Sequence, residues 1–392
     1  MGDLVQGSCD PAFAAVREVF ERNFAEGREF GAAVAVYAGD RKVVDLWGGV
    51  ADRRTGREWR ADTPCFGFSC TKAVTATAAL LLAERGVYDL HGPVTAWWPE
   101  FGANGKEGAT AAHLLSHQAG LPAFARPVTA EEAADTAARA DELAAQAPEW
   151  EPGTAHGYHA LTYGWLAGEI VRRNTGTPVG AFVEREFAGG LDLWIGAPDE
   201  VIERAAKLTA GKGDHNESGP DAPRAVDDDD MLGRLATAYL DAGSPMNRSL
   251  NNPHPGKGGY NNPVVLRAGW PSAGMIATAP AFGAFYRDLI AGRIIAPETL
   301  REATRAQVRG PDRTLEVNTA FGLGFMLPAM TFFTPEPGRA SAFGHTGAGG
   351  SLGFADPEAG LALAYLPNRM GDQLSGDLRA YRLVEAAYAA LA

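Results

Sequence analysis

Apolar positions recur at near-helical spacing from Pro11 to Gly27, with Phe13, Val16, Val19, Phe20 and Phe24 on one face. Asp10 stands at the N-cap position and Pro11 in the first turn, so this stretch reads as an amphipathic helix. The period then shortens. Residues 32–37 and 42–47 flank Gly39-Asp40-Arg41, which predicts two antiparallel strands joined as a hairpin. The end of the chain mirrors the beginning: 344–350, 352–356 and 361–366 read as three strands. A helix over 375–391 follows, with Leu378, Tyr381, Leu383, Val384, Ala387, Tyr388 and Leu391 as its apolar stripe.

Between these ends the pattern is mainly helical. Residues 71–86 form an Ala/Leu-rich helix stopped by Gly86, and 111–116 a short one with Thr110 as N-cap; 130–147 and 163–174 also carry a helical period. Residues 211–269 differ, being dense in Asn, Gly and Pro (Asn247, Asn251, Asn252, Pro253, Pro255, Gly256), with one helix expected near Met231 to Leu240. A long irregular segment in a compact enzyme commonly serves as a lid or binding loop. The acidic run Asp227 to Asp230 reads as a solvated helix start whose carboxylates complement the macrodipole. The predicted class is α/β (α+β): an antiparallel sheet flanked by N- and C-terminal helices, with an inserted mainly α-helical domain. Residues 1–64 with 270–392 would make a discontinuous sheet domain, 65–210 the helical domain, and 211–269 an irregular insert acting as a lid.

Composition narrows the function classes. The 392-residue chain carries a formal charge of −13 and no run of Lys or Arg, which argues against nucleic acid and anionic membrane as partners. No stretch reaches the roughly 18 apolar residues of a membrane span, and residues 1–6 do not read as a secretory signal, so a cytoplasmic enzyme is expected. Cys9, Cys65 and Cys70 form no metal spacing and read as free thiols. His113 and His117 sit four apart, but no third ligand follows at suitable spacing, and His117 is expected to be a structural interior histidine. Neither metal nor cofactor is called for.

The chemistry centres on Phe68-Ser69-Cys70-Thr71-Lys72, a Ser-x-x-Lys at the start of a helix. Residues three apart on the first turn share a face, so the Lys72 amine can reach the Ser69 hydroxyl. A serine needs a neighbouring base to become a nucleophile, and a desolvated lysine can be that base. Tyr158 stands on a loop before the helix at 163, and His345-Thr346-Gly347 lies in a Gly-rich strand that a substrate can approach closely. Gly349-Gly350-Ser351-Leu352-Gly353 fits the Gly-x-Ser-x-Gly elbow, but a turn into another strand follows instead of the required helix, which removes Ser351 as nucleophile. Cys70 lies two residues from Lys72, on the wrong side of the helix, and reads as buried packing; Trp97, Trp98 and Trp165 read as core aromatics.

Taken in order, Ser69-Lys72, Tyr158 and His345-Thr346-Gly347 resemble the Ser-x-x-Lys, Tyr-x-Asn and Lys/His-Thr-Gly motifs of the class C β-lactamase, D-alanyl-D-alanine peptidase and family VIII carboxylesterase group. The stretches 114–121, 152–154 and 272–278 resemble it too, and the likeness spans roughly residues 15–390. The resemblance implies a β-lactamase/transpeptidase-like fold and an acyl-enzyme on Ser69, with Lys72 and Tyr158 sharing the proton. It further implies an oxyanion hole from the backbone N–H groups of Ser69 and Ala348, and a substrate pocket lined by Ala160, His345, Thr346 and Gly347. Which of Lys72 and Tyr158 is the base stays open. Two departures matter: Ala160 stands where Asn would complete Tyr-x-Asn, and His345, mostly neutral at pH 7, replaces a lysine. Both turn the expectation from penicillinase activity toward ester hydrolysis or acyl transfer on a small-molecule ester or amide, with β-lactamase or D-aminopeptidase activity expected less. The alternative is transfer of the acyl group to an amine or alcohol, favoured if residues 211–269 close the pocket against water. An inert binding protein on this fold would be expected to lack the serine, lysine or tyrosine, and all three are present.

Overall fold

The computed structural model describes residues 4–210, 237–371 and 377–391. The acidic run Asp227 to Asp230, most of the helix expected near Met231 to Leu240, and residues 375–376 lie outside the described residues. Strands Val5–Cys9 (β1), Gly31–Ala38 (β2), Arg41–Asp52 (β3), Phe343–Thr346 (β4), Leu352–Asp356 (β5) and Leu361–Pro367 (β6) form one sheet in the order β1-β3-β2-β6-β5-β4. Every neighbouring pair on this path is antiparallel, and β2 pairs with β6 through Val36 opposite Leu363, so the two ends of the chain are zipped together.

The helices that cover this sheet and position the site are Ala14–Ala25 (α1), Thr71–Glu84 (α2), Ala111–Leu115 (α3), Tyr163–Thr175 (α4), Ala279–Ile290 (α5) and Leu378–Ala389 (α6). Alternation along β2 assigns its two faces. Val34 and Val36 pack with Leu363 and Tyr365 against Val16 and Phe20 of α1 and Leu383 and Val384 of α6. Ala33, Ala35 and Tyr37 pack with Ala362 and Ala364 against Phe282, Phe285 and Leu289 of α5. Each large apolar side chain buried this way contributes roughly 2 kcal/mol. Small residues on the second face let α5 sit close: a Cβ on Gly353 would lie 2.3 Å from the Tyr286 ring. A smaller antiparallel sheet of Cys65–Phe66, Met275–Ala277 and Leu193–Ile195 stands in front of α2.

Several expectations shift in detail. Strand β1 has no apolar period to reveal it; it is a sheet edge with exposed Gln6, Gly7 and Ser8, and only glycine fits at Gly7, where φ is 105° and a Cβ would meet the Asp45 carbonyl at 2.0 Å. The helix expected over 130–147 breaks into Ala130–Ala134 and Thr136–Ala145, because the Asp135 side chain accepts from the Ala138 N–H and starts a new helix. The strand expected over 344–350 stops at Thr346, and Gly349 and Gly350 turn the chain with φ of 79° and 114°. On α6 the face is rotated: Leu378 is exposed and Arg379 is buried. Of the insert expected to be irregular, residues 211–236 lie outside the described residues, and 237–269 are partly helical. The latter hold helices Pro245–Asn251 and Pro263–Ala268, and their asparagines bond backbone, as where Asn262 caps the second helix and Asn252 accepts from Val128 N–H.

Candidate active site

Ser69 follows a tight turn pinned from several sides. Phe68 has a φ of 48°, a strained value for a bulky side chain. The turn is tied to the 271–275 segment through Gly67 N–H to Met275 O at 2.8 Å and Met275 N–H to Thr71 Oγ1 at 2.9 Å. Thr71 Oγ1 in turn donates to Phe68 O at 2.6 Å. Phe68 and Cys70 are buried while Ser69 between them is partly accessible, so only the serine faces the opening.

One turn on, Lys72 is completely buried. Its Nζ lies 3.1 Å from Ser69 Oγ, 2.7 Å from Ala160 O and 3.0 Å from Ser272 O. These partners are a hydroxyl and two carbonyls, with no carboxylate among them. Burial without a counter-ion holds its pKa well below the ordinary lysine value. The two carbonyls can only accept, so both N–H bonds of a neutral amine are committed to them and its lone pair is left facing Ser69 Oγ.

Tyr158 lies on the loop before α4, with its ring 4.8 Å from Lys72 Nζ and its side chain beside Ser69. Burial raises its pKa above the usual tyrosine range, so the phenol keeps its proton. The loop is built from the backbone. Tyr158 N–H donates to Asp312 Oδ1 at 3.0 Å, and Ser249 Oγ donates to Tyr158 O at 3.0 Å while accepting from Ala160 N–H at 2.9 Å. Asp312 also accepts from the Thr314 and Leu315 N–H groups and from Thr319 Oγ1.

His117 and His159 complete the frame. The Nδ1 of His117 accepts from His159 N–H at 3.1 Å; His159 Nε2 accepts from Leu121 N–H at 3.0 Å, and its Nδ1 donates to Gly157 O at 2.6 Å. Burial lowers both histidines, His159 to about 4, so the rings around Tyr158 are neutral. His113 caps α3 with Thr110 rather than joining His117, and no cluster suited to a metal ion occurs among the described residues.

Strand β4 closes the other side. Cys70 Sγ donates to His345 O at 3.2 Å, and a Cβ on Gly347 would lie 2.5 Å from Gly67 O, so the His-Thr-Gly strand lies directly on the Ser69 turn. Thr346 and Ala348 are partly accessible beside Ser69, whereas His345 and Gly347 are buried. Thr346 Oγ1 donates toward Met326 Sδ at 3.3 Å. The His345 ring centroid is 6.2 Å from that of Tyr158, and burial followed by the nearby Lys72 lowers its pKa to about 3. Its Nδ1 donates to Thr346 O at 2.6 Å, which leaves Nε2 as an acceptor with no partner among the described residues. Ser351 is buried and followed at once by strand β5. Cys70 is buried with its thiol pushed up to about 12, and all three cysteines are unpaired.

The sequence motifs therefore come together around Ser69, and the structure adds Ser272, Ser249, Asp312, His117 and His159 as their frame. Ser272 and His117 fall inside stretches that already resembled the group, whereas nothing in the sequence around Ser249 or Asp312 marks them out.

The beta-lactamase family profile matches residues 16–388. The chain belongs to the beta-lactamase family. Within that family it is 34% identical to the esterase/beta-lactamase LipL of Mycobacterium tuberculosis, over 99% of this chain and 90% of that protein. A family VIII carboxylesterase structure superposes with a TM-score of 0.84 at 34% identity, over 98% of this chain and 99% of its own. A penicillin-binding protein homologue from Caulobacter crescentus gives 0.83 at 37% identity, also over 98% and 99%. The fold and the serine hydrolase class follow from this membership, and no helix among the described residues is long and apolar enough to cross a membrane.

Proposed function

We propose that the protein is a carboxylesterase-type hydrolase in which Ser69 is the nucleophile, Lys72 the base and Tyr158 the acid. The observation that carries this reading is the buried amine of Lys72, 3.1 Å from Ser69 Oγ, held by Ala160 O and Ser272 O and with no carboxylate among its partners. As Ser69 Oγ attacks the ester carbonyl, its proton passes to Lys72 Nζ. The oxyanion forms against the Ser69 and Ala348 N–H groups. Tyr158 donates its proton to the departing alkoxide and regains one from the Lys72 ammonium. Water then gives a proton to Lys72 and attacks the acyl-enzyme; the acid leaves and Ser69 recovers its proton. Ala160, Thr346 and Gly347 would line the pocket. The names of the relatives, esterase and carboxylesterase, point the same way.

His345 supports an uncharged substrate. A buried neutral imidazole offers an acceptor where a lysine would offer a permanent cation to a β-lactam carboxylate. Nitrocefin should therefore acylate the enzyme slowly and turn over far less than a short-chain ester; turnover comparable with the ester would reverse the preference. Intact-protein mass spectrometry with p-nitrophenyl esters tests the whole reading. The acyl adduct should form on the wild type and be absent from Ser69→Ala. Adding an amine and measuring acid against amide then separates hydrolysis from acyl transfer.

A further inference from the structure

We infer that Arg379, held by Glu29 and Asp377, is a positioning residue for the turn Ala348–Gly350, and through it for the Ala348 N–H of the oxyanion hole. The inference rests on the reading of Ala348 given above. The turn itself is fixed by two carbonyls. Gly347 O accepts from Gly350 N–H at 3.2 Å, and because Gly347 O and Ala348 N–H lie on opposite sides of one planar peptide, that bond turns the Ala348 N–H outward from the turn. Gly349 O, one peptide on, accepts from Arg379 Nη2 at 2.6 Å and from Gly371 N–H at 3.1 Å.

Arg379 is held on several sides. Its side chain is 6% exposed, and its remaining donors reach Asp377 Oδ2 at 2.6 Å, Glu29 Oε2 at 3.1 Å, Arg28 O at 3.1 Å and Arg369 O at 3.2 Å. Glu29 is itself held by the Tyr365 hydroxyl from the middle of the sheet. Glycines at 349 and 350, both at positive φ, leave room for these contacts: a Cβ on Gly350 would lie 2.5 Å from Arg379 Nη2, and one on Gly349 2.6 Å from Met370 Sδ. The guanidinium thus spans from the sheet, through Glu29, to the turn beside Ser69. A lysine could not reproduce its planar fork. Burying a guanidinium between two carboxyl groups with no catalytic contact is costly for stability alone. A role in holding the turn accounts for that arrangement.

The test compares wild type with Arg379→Lys, Arg379→Ala and Asp377→Asn, using kcat, KM and inhibition by an aryl trifluoromethyl ketone. The ketone carbon bonds Ser69 Oγ, the serine proton passes to Lys72, and the ketone oxygen becomes an alkoxide in the oxyanion hole. In variants that still melt cooperatively, kcat should fall about 10- to 100-fold for the arginine changes and less for Asp377→Asn, with KM within about 3-fold. Ketone affinity should fall in step with kcat. A merely structural role would lower the melting temperature without that proportionality. Folded variants with kcat unchanged, or with kcat reduced and ketone affinity intact, overturn the inference. If Arg379→Ala does not fold, Arg379→Lys and Asp377→Asn decide it by the same criteria. Mass spectrometry separates the two levels: a wild type that takes no acyl group on Ser69 defeats the proposed function. A wild type acylated at the same rate as a folded Arg379 variant defeats only the positioning role.

Discussion

Lys72 and Arg379 are two basic side chains removed from water, at 0% and 5% exposure, in opposite surroundings. Arg379 meets the carboxylates of Asp377 and Glu29, and Lys72 meets a hydroxyl and two carbonyls. An arginine cannot shed its proton, so its burial requires anions beside it. A lysine can, so its burial without anions turns an ordinary cation into a base. The same desolvation therefore fixes a backbone turn in one place and prepares proton transfer in the other. The contrast follows from the company each group keeps.

The largest effect tests what the prepared base acts on. Ser69→Ala should lower p-nitrophenyl butyrate turnover by about three to six powers of ten, as loss of a nucleophile does. Steady-state rates with an active-site titration check it, and a variant retaining a tenth of the activity would place the nucleophile elsewhere. Next, Lys72→Arg should be nearly as inactive, because it exchanges the group that can be neutral for one that cannot. Tyr158→Phe should cost about 100- to 1,000-fold, and Lys72→Ala combined with it should be hardly worse than Lys72→Ala alone, since groups acting as one unit are non-additive. Additive losses in the double-mutant cycle would mean that the two work separately.

The pH profile sharpens the contrast further. Lys72 must be neutral to accept the Ser69 proton, so kcat/KM should rise with pH through its depressed pKa and not wait for the ordinary lysine range. Tyr158 must keep its proton, and burial raises it, so activity should persist above pH 10 until the fold gives way. Stopped-assay profiles from pH 4 to 11 measure both limbs. An acid limb centred at the ordinary lysine value would show that Lys72 is charged in the resting enzyme.

Much of this was legible beforehand, and the exceptions have a physical pattern. Strands β2 and β6 show themselves by apolar runs, and Ser-x-x-Lys by its helical spacing. Asp312 and Ser249 act through backbone N–H and C=O groups of the Tyr158 loop, which a sequence period does not encode. Arg379 breaks the period outright: it is buried where the stripe placed its neighbour Leu378, which is exposed, because its partners Glu29 and Gly349 come from distant parts of the chain. The 237–269 segment misleads through composition, since its asparagines act as caps and backbone ties and not as loop residues. Local rules read the elements, and long-range polar contacts decide what they hold.

The smallest expected effect is on stability, and it asks how fully charged the Arg379 cluster is. Burial lifts Glu29 from 4.5 to about 7, against the pull of Arg379 and the hydrogen bond from Tyr365, with Asp377 adding to the rise. In the unfolded chain the same carboxyl ionises near its ordinary value. Between those two values the native protein holds a proton that the unfolded chain has already released. The Glu29 contribution is therefore complete in acid and is lost as pH rises through about 7, at up to about 1.4 kcal/mol per pH unit. Glu29→Gln keeps an acceptor for Tyr365 or Arg379 but cannot ionise. Urea unfolding at pH 5, 6, 7, 8 and 9 should show the wild type losing stability relative to Glu29→Gln up to about pH 7, with the two curves parallel between pH 8 and 9. A constant difference from pH 5 to 8 would mean that Glu29 is already ionised throughout. Arg379 would then be as fully paired as Lys72 is unpaired, and the cluster would be a fixed clamp with no response to pH near neutrality.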